Sequence, residues 1–305
     1  MLILTKMLTA LLFKPSKPHL LKMAMAIHHQ KFRPKQALTQ SQKRKTPTRR
    51  LLKMFSVCLI ATKWRMNDLI VKIADLCFEI KSHYSHIENI CKEYACCDEA
   101  PLFTIEITDA DMQRERRISE NNFSDEYFES TAVMRKFALK LADFNGCVFH
   151  GAVVVVNNRA VAFSAPSATG KTTHINLWQK LLGDKIFVLN GDKPVVRIID
   201  EKPFVYGTPW AGKENLQKNT RAPLAAVCFL QRGKQNRIER LDFKYGANHM
   251  LNHMYCIESL KTLDNCINIL ENGFNNVEFY NQWSTPDIKS AVFSHYALWR
   301  TLYED

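Results

Sequence analysis

The chain has 305 residues, and 46% of them are hydrophobic, which is enough to build the core of one large domain or two ordinary ones. Its formal charge is +12, but the 15 Lys and Arg residues of positions 1–65 come with no Asp or Glu. Residues 66–305 therefore carry 27 basic and 30 acidic residues, a net charge of −3. This distribution argues against specific nucleic-acid or membrane partners for the part of the chain after residue 65.

The basic segment over residues 1–65 is open to several interpretations. Its apolar stretch over Met1–Phe13 contains a lysine, is too short for a membrane span and lacks a convincing cleavage site. The acid-free stretch over Lys31–Lys53 has the composition of an organelle transit peptide or a nucleic-acid-binding arm. We favour translation from Met66, where the composition changes, with a disordered basic extension as the alternative. Detection of a peptide from residues 1–50 by mass spectrometry would exclude a start at Met66.

The nine cysteines are odd in number and follow no paired framework, so we predict reduced thiols and a cytoplasmic protein. Three of them lie near two histidines, but no C-x-x-C pair is present and the spacing fits no standard zinc site. These residues are Cys91, Cys96, Cys97, His83 and His86. His249 and His253 lie four apart on a predicted helix without a third ligand or a general base, which indicates a pair on the helix surface.

Residues 66–145 are predicted to form a small α+β lobe. Phe103–Ile107 alternates with period two, as in a strand, and Met66–Ile80 suits a strand or a short helix. Helices are predicted over His83–Tyr94 and Ser130–Leu141. Because this part of the chain has no catalytic motif, we expect it to cover the second domain or to present the substrate.

Residues 146–305 are predicted to form a larger α/β domain with a mostly helical C-terminal part. Strands are predicted over Cys147–Phe163, with a turn at Asn157–Arg159, and over Lys185–Leu189, Val195–Ile199, Phe204–Tyr206 and Pro223–Leu230. Helices are predicted over Ile175–Leu182, Tyr245–Leu270 and Pro286–Tyr303.

A candidate phosphate-binding loop lies between the predicted strand that ends at Phe163 and the helix that follows. Strand, loop and helix are the setting in which backbone N–H groups and the positive end of the helix dipole point at one phosphate. The predicted ATP-binding residues are Ala165, Pro166, Ser167, Ala168, Thr169, Gly170, Lys171, Thr172 and Thr173. Lys171 is expected to neutralise the β- and γ-phosphates, and Thr172 to hold Mg²⁺.

This loop departs from the strict pattern G-x-x-x-x-G-K-[ST]. Gly170, Lys171 and Thr172 match it, but Ala165 stands where the first glycine belongs. Alanine adopts a positive φ at a cost that glycine does not have, so we expect strain at that position. The alternative interpretation is a chance G-K-T at the start of a helix.

Asp192 follows the strand after the loop helix, and strand ends that face such a loop gather at one edge of the sheet. A carboxylate there can hold Mg²⁺ or accept the proton of an attacking hydroxyl. The alternative is an Asx turn that ends the strand, since the sequence over Asn190–Pro194 is typical of turns.

The spacing of three residues resembles the catalytic domain of the HPr kinase/phosphorylase family. His150, followed by glycine, stands twenty-one residues before Lys171, as the histidine of the family does. The family loop G-x-S-G-x-G-K-[ST] aligns with residues 165–172, and the second aspartate of its Asp-Asp pair aligns with Asp192. The resemblance implies a P-loop domain like that of phosphoenolpyruvate carboxykinase, preceded here by the small α+β lobe.

The resemblance covers roughly residues 146–230, and several residues depart from the family pattern. Alanines replace two loop glycines, Gly191 replaces the first aspartate, and the later Glu-x-Arg-Gly segment is missing, with Tyr206–Trp210 in its place. The missing glutamate puts the second metal contact and the reverse phosphorylase reaction in doubt. These features are similar to a divergent branch of HPr-kinase-related proteins.

The resemblance implies an ATP- and Mg²⁺-dependent kinase that phosphorylates a hydroxyl, with a serine of a protein or peptide as the expected acceptor. Asp192, His150 and Lys171 are the expected catalytic residues, and Thr172 and Asp192 the expected metal ligands. Two alternatives are a small-molecule kinase or carboxykinase-like enzyme, and a nucleotide-binding regulator that has lost catalysis. A homo-oligomer is a family expectation. Further candidate phosphate or substrate contacts are Lys213, Arg197 and Arg221.

Overall fold

The computed structural model describes residues 67–96, 98–255 and 258–304. The chain separates into two units, Met1–Arg65 and Met66–Asp305, and all described residues belong to the second. The predictions for the basic segment therefore lie outside the described residues. Among the helices that the structure describes, none has the length and the apolar character that crossing a bilayer requires.

The described residues form a mixed α/β fold with two sheets. The strands are β1 Asn67–Ile73, β2 Leu76–Ser82, β3 Thr104–Glu106, β4 Gly146–Val148, β5 Ala152–Val156, β6 Arg159–Ser164, β7 Ile186–Asn190, β8 Val195–Ile199, β9 Lys202–Tyr206, β10 Arg221–Arg232, β11 Arg237–Leu241 and β12 Glu278–Ser284. The α-helices are α1 His86–Ile90, α2 Asp109–Ile118, α3 Asp125–Lys140, α4 Lys171–Leu182, α5 Phe243–Leu251, α6 Leu260–Gly273, α7 Ile288–Ala297 and α8 Trp299–Tyr303. Three 3₁₀ turns cover Lys92–Tyr94, Leu141–Phe144 and Gly183–Lys185.

The smaller sheet has the order β1-β2-β3, and its first two strands form a hairpin. The strand or short helix predicted over Met66–Ile80 is thus two strands, joined by a tight turn in which Ala74 and Asp75 have φ of 54° and 59°. A turn with two positive φ values matches the twist of a hairpin, although Asn-Gly is its usual sequence. The Asp75 carboxylate accepts hydrogen bonds from the Tyr206 hydroxyl and from Arg221, which hold the turn against the larger sheet.

One continuous core joins the smaller sheet and α3 to the larger sheet. Phe137 on α3 is fully buried, stacks on Phe78 of β2 and packs against Trp210 at a ring separation of 5.9 Å. The indole of Trp210 also donates to the carbonyl of Ser130 on α3, at 3.2 Å. The two predicted domains therefore share buried side chains, and the boundary between residues 145 and 146 stays a prediction.

The larger sheet has nine strands in the order β4-β8-β9-β10-β6-β5-β7, with β12 and β11 continuing from β10. Strand β10 is parallel to both β6 and β12, whereas β5 runs antiparallel to β6 and to β7. The ends of β6, β7 and β10 and the start of β5 consequently lie at one edge of the sheet. That edge holds the predicted phosphate-binding loop.

Helix α4 begins directly after this loop and packs on the sheet with the buried side chains of Ile175 and Trp178. His174, one turn into the helix, is also buried and contacts the hydroxyls of Ser290 and Ser294 on α7. The strand, loop and helix that the sequence predicts around residues 165–170 are all present.

Candidate active site

Three of the predicted catalytic side chains meet at the loop edge of the larger sheet. The Nε2 atom of His150 lies 3.0 Å from Nζ of Lys171 and 3.2 Å from Oδ1 of Asp192. His150 lies two residues before β5, Lys171 in the first turn of α4 and Asp192 in the turn after β7. The sheet topology brings them together because β5 is antiparallel to both of its neighbours.

The backbone of His150 is fixed on two sides. Its N–H donates to the carbonyl of His253 at 2.8 Å, and its carbonyl accepts from the hydroxyl of Ser164 at 2.6 Å. Ser164 is the last residue of β6 and is fully buried. The histidine is therefore held in register with the strand that leads into the loop.

Asn190 makes the turn that presents Asp192. The Asn190 side-chain oxygen accepts from the N–H groups of Asp192 at 2.9 Å and Lys193 at 2.8 Å, while its amide donates to the carbonyl of Thr208. The Asx turn considered as an alternative role for Asp192 thus exists, but its side chain is that of Asn190. The Asp192 carboxylate is left facing His150 and Lys193.

The Asp192 carboxylate is ionised at neutral pH. Burial alone would raise its pKa, but the hydrogen bond with His150 and the ammonium of Lys193, 2.8 Å from Oδ2, lower the pKa to about 2. Lys193 is itself largely buried and lies over the ring of Tyr255, with Nζ 4.9 Å from the ring centroid. The sequence analysis missed Lys193, although its position next to Asp192 could have singled it out.

Lys171, the first residue of α4, turns its side chain back to the start of the loop. Its ammonium donates to the carbonyl of Ala165 at 2.9 Å, within the loop. Burial lowers the pKa of Lys171, while the charge of Asp192 opposes that shift. An anion placed beside a half-buried ammonium strongly stabilises its charged form.

The Nε2 atom of His150 cannot form hydrogen bonds with Lys171 and Asp192 at the same time. A ring nitrogen either accepts a hydrogen bond, as from the Lys171 ammonium, or carries a proton and donates it, as to the Asp192 carboxylate. As hydrogen bonds, the two contacts therefore exclude each other. A change in the position of Lys171 changes which partner His150 has.

The backbone strain of the loop does not fall at the predicted position. Ala165 is buried and is not among the residues with positive φ, so the expected cost of alanine there is wrong. Ala168 instead has φ of 61°, and Gly170, which precedes α4, has φ of 116°. A left-handed alanine costs on the order of 1 kcal/mol relative to its ordinary conformation.

The N-terminus of α4 is open to an anion. Its first turn contains Lys171, Thr172 and Thr173, no acidic residue, and no side chain that caps the helix. Thr172 is half-buried and Thr173 is exposed, as are Pro166 and Ser167 in the loop. Helix N–H groups without such a cap, together with a nearby ammonium, are suited to a phosphate.

The predicted metal ligands, Thr172 and Asp192, lie in the first turn of α4 and in the turn after β7. Among the described residues, no group of three or more His, Cys, Asp or Glu side chains is arranged to hold a metal. Mg²⁺ commonly takes one or two protein oxygens and completes its shell with phosphate oxygens and water. The ionised carboxylate of Asp192 and the hydroxyl of Thr172 are oxygen donors of that kind.

The three further candidate contacts have different surroundings. Arg197 donates to the carbonyls of Ala74 at 2.8 Å and Phe144, and Arg221 donates to Asp75. Both guanidinium groups thus hold the β1–β2 turn and its surroundings, and we withdraw them as phosphate contacts. Lys213 is exposed and follows Gly212, whose backbone approaches Asp192.

The prediction of a surface pair for His249 and His253 is wrong. Both rings pack against Phe229 of β10, at 5.0 and 5.8 Å, and helix α5 ends at Leu251, before His253. Burial, with the charges of His150, His249 and Lys171, lowers the pKa of His253 to about 4. His253 is therefore uncharged at physiological pH, and its backbone carbonyl adjoins the site through the N–H of His150.

Together these features define a mixed α/β protein with a lysine, a histidine and a carboxylate beside a loop that opens a helix. No protein-family model matches the chain, and no curated protein matches it. Among solved structures, it is similar to the Hpr(Ser) kinase/phosphatase from Coxiella burnetii, at 11% sequence identity and a TM-score of 0.27. That match covers 52% of this chain and 99% of the other. At this TM-score the match says nothing of activity, which has to be argued from the site itself.

Proposed function

We propose that the protein is a kinase that transfers the γ-phosphoryl group of ATP to a hydroxyl, with a serine of a protein or peptide as the acceptor. The observation that carries the proposal is the meeting of Lys171, His150 and Asp192 within hydrogen-bonding distance at the N-terminus of α4. Phosphoryl transfer needs little covalent help from a protein, because positioned charge supplies most of the catalysis.

The nucleotide phosphates lie in this proposal between the loop and the first turn of α4. Backbone N–H groups of residues 167–172 donate to the phosphate oxygens, and the helix dipole adds to their attraction. Lys171 exchanges its contacts with Ala165 and His150 for the β- and γ-phosphates. Because burial lowers the pKa of this ammonium, a phosphate placed beside it would favour its charged form.

Thr172 and Asp192 would hold Mg²⁺, which when bound would supply positive charge against the phosphate oxygens. Asp192 also orients the acceptor hydroxyl. The bond from the acceptor oxygen to the γ-phosphorus forms as the bond from that phosphorus to ADP breaks, and the hydroxyl proton passes to Asp192, which its lowered pKa makes a weak base. His150, released by Lys171, donates to Asp192 and holds the carboxylate in place.

One observation favours a second candidate function, a nucleotide-binding regulator without transfer activity. Both oxygens of Asp192 are paired, Oδ1 with His150 and Oδ2 with Lys193. A carboxylate held in this way by two basic groups is a poor partner for an acceptor hydroxyl unless one of them moves. The regulator predicts nucleotide binding in the absence of transfer.

Asp192→Asn separates the two functions. In the kinase, this variant binds Mg²⁺-ATP within about threefold of the unmodified protein and loses transfer by about 100-fold or more, because its amide cannot accept the proton. The matched control is Asp264→Asn, an equal charge change at an exposed position of α6. Calorimetry measures binding of Mg²⁺-ATP, and [γ-³²P]ATP with cell lysate measures transfer.

The labelled products decide between the candidates. Label in a polypeptide that depends on Asp192 supports the proposed kinase, and label only in a small molecule indicates a metabolite kinase on the same fold. Binding of ATP without any transferred label indicates the regulator. Failure of the unmodified protein to bind ATP removes all three.

A further inference from the structure

Arg232 is the last residue of β10, on the strand that lies beside β6. The two strands are parallel, and Phe229 is level with Ser164, the residue that ends β6. Arg232 is therefore three residues further along than the point where the neighbouring strand gives way to the loop. At this place a long side chain reaches across the strand gap to residues 165–170.

The guanidinium of Arg232 contacts two successive carbonyl groups of the loop. It donates to the carbonyl of Ala168 at 2.5 Å and, more weakly, to that of Thr169 at 3.5 Å. Within the loop, the N–H of Thr169 donates to the carbonyl of Pro166 over a long 3.3 Å, and the ammonium of Lys171 donates to the carbonyl of Ala165. Because the loop has few internal hydrogen bonds, the hydrogen bonds from Arg232 to its carbonyls contribute strongly to the conformation of the loop.

These contacts determine where the loop amides point. In a trans peptide the C=O and N–H bonds are directed oppositely, and the described residues contain no cis peptide. A carbonyl of Thr169 drawn toward Arg232 turns the N–H of Gly170 away from Arg232. The same contacts hold the carbonyl oxygens of Ala168 and Thr169 at Arg232, so these two oxygens do not turn toward a phosphate, which they would repel.

We infer that Arg232 is a positioning residue for nucleotide phosphates, which acts by holding the carbonyls of Ala168 and Thr169 on its own side of the loop, so that the N–H of Gly170 faces the anion. This inference rests on the proposed nucleotide binding. It assigns Arg232 an indirect role, since the guanidinium contacts the loop and leaves the phosphates to the backbone and Lys171. Arg232 also offsets the left-handed conformation of Ala168, because its strongest contact is to that residue.

The test compares ATP and ADP as ligands of Arg232→Gln. Loss of a charge-assisted hydrogen bond at an exposed position corresponds to about a fivefold to tenfold loss of affinity. Because the loop amides cradle the phosphates that both nucleotides share, we expect ATP and ADP to be weakened by the same factor. In steady-state assays KM for ATP rises by that factor, and kcat changes by less than about twofold.

Two further variants separate the effect of the Arg232 hydrogen bonds from the effect of its positive charge. Lys234→Gln removes one exposed positive charge two residues away and is expected to leave both affinities within about twofold. Arg232→Lys retains the charge but replaces the planar guanidinium with a single ammonium nitrogen. This variant is expected to recover part of the nucleotide affinity that Arg232→Gln loses. Thermal unfolding of all three variants, measured without nucleotide, reports whether the fold is intact.

Three outcomes overturn the inference. A loss for ATP alone means that Arg232 contacts the γ-phosphate directly, and an equal loss in Lys234→Gln means that only the net charge matters. Unchanged affinities in Arg232→Gln mean that the loop keeps its shape without the arginine. In all three cases the unmodified protein still binds ATP, so the proposed function survives; absence of ATP binding by the unmodified protein removes both.

Discussion

The buried His174 predicts a specific loss of stability in mild acid. Its ring is 2% exposed and lies between α4 and α7, with Nδ1 3.1 Å from the Ser290 hydroxyl and Nε2 accepting from the indole N–H of Trp178 at 3.1 Å. If Nε2 were protonated, its N–H would face the indole N–H of Trp178, so that two hydrogen-bond donors would point at each other. Burial lowers the pKa of His174 from 6.5 to about 3.

The sign and size of the effect follow from that shift. Because the folded-state pKa is depressed, His174 binds a proton only after unfolding once the pH is below 6.5, so its contribution is fully present above pH 6.5 and is lost as the pH falls toward 3. The slope approaches about 1.4 kcal/mol per pH unit, which amounts to about 2 kcal/mol between pH 6.5 and pH 5.

The assay is urea unfolding of the unmodified protein and of His174→Gln at several pH values from 7.5 to 5. The variant has no titrating ring, so its free energy of unfolding should fall by about 2 kcal/mol less over this interval, whatever its stability at pH 7.5. Lys180→Gln, on the exposed face of the same helix, is the control and should keep the slope of the unmodified protein. Equal slopes for His174→Gln and the unmodified protein would refute a neutral, buried His174.

Two backbone positions near the site give further predictions. Ala168→Gly relieves the positive φ of 61° and should raise the free energy of unfolding by up to about 1 kcal/mol in thermal denaturation; a lower midpoint would contradict the left-handed conformation. Gly212→Ala adds a Cβ 3.2 Å from Cβ of Asp192 at a φ of 81°, and should lower phosphoryl transfer at least tenfold while calorimetry shows ATP binding within about threefold. Gly183→Ala is its control, since φ there is also positive, at 57°, but the added atom meets nothing within 4 Å. An equal loss of transfer in both variants would remove the close approach to Asp192 as the cause.

The loop edge was predictable because its signals are local. Glycine, lysine and threonine between an apolar strand and an amphipathic helix indicate where a phosphate can bind, and they do so without tertiary information. The spacing of His150 and Asp192 from Lys171 then suggested that the three side chains meet, and the structure brings them together. Their roles in catalysis stay predictions.

Other elements were missed because tertiary contacts or less obvious local signals determine them. Helix α2 covers the charged stretch Asp109–Ile118. It begins with a capping box between Thr108 and Asp111, which is a local signal of a helix start. The turn at Ala74–Asp75 has no Asn-Gly signal, and its partners Tyr206 and Arg221 are more than 130 residues away. Arg232 has no motif at all, because its contact with the loop arises only from strand pairing.

Trp210 links the loop edge of the larger sheet to helix α3. Its carbonyl accepts from the N–H of Lys193, 3.1 Å away, while its indole is hydrogen-bonded to Ser130 on α3. A tilt of α3 would therefore be transmitted through a single rigid side chain to the residue that neutralises Asp192. A change at the outer face of α3 would in this way alter the ion pair between Lys193 and Asp192.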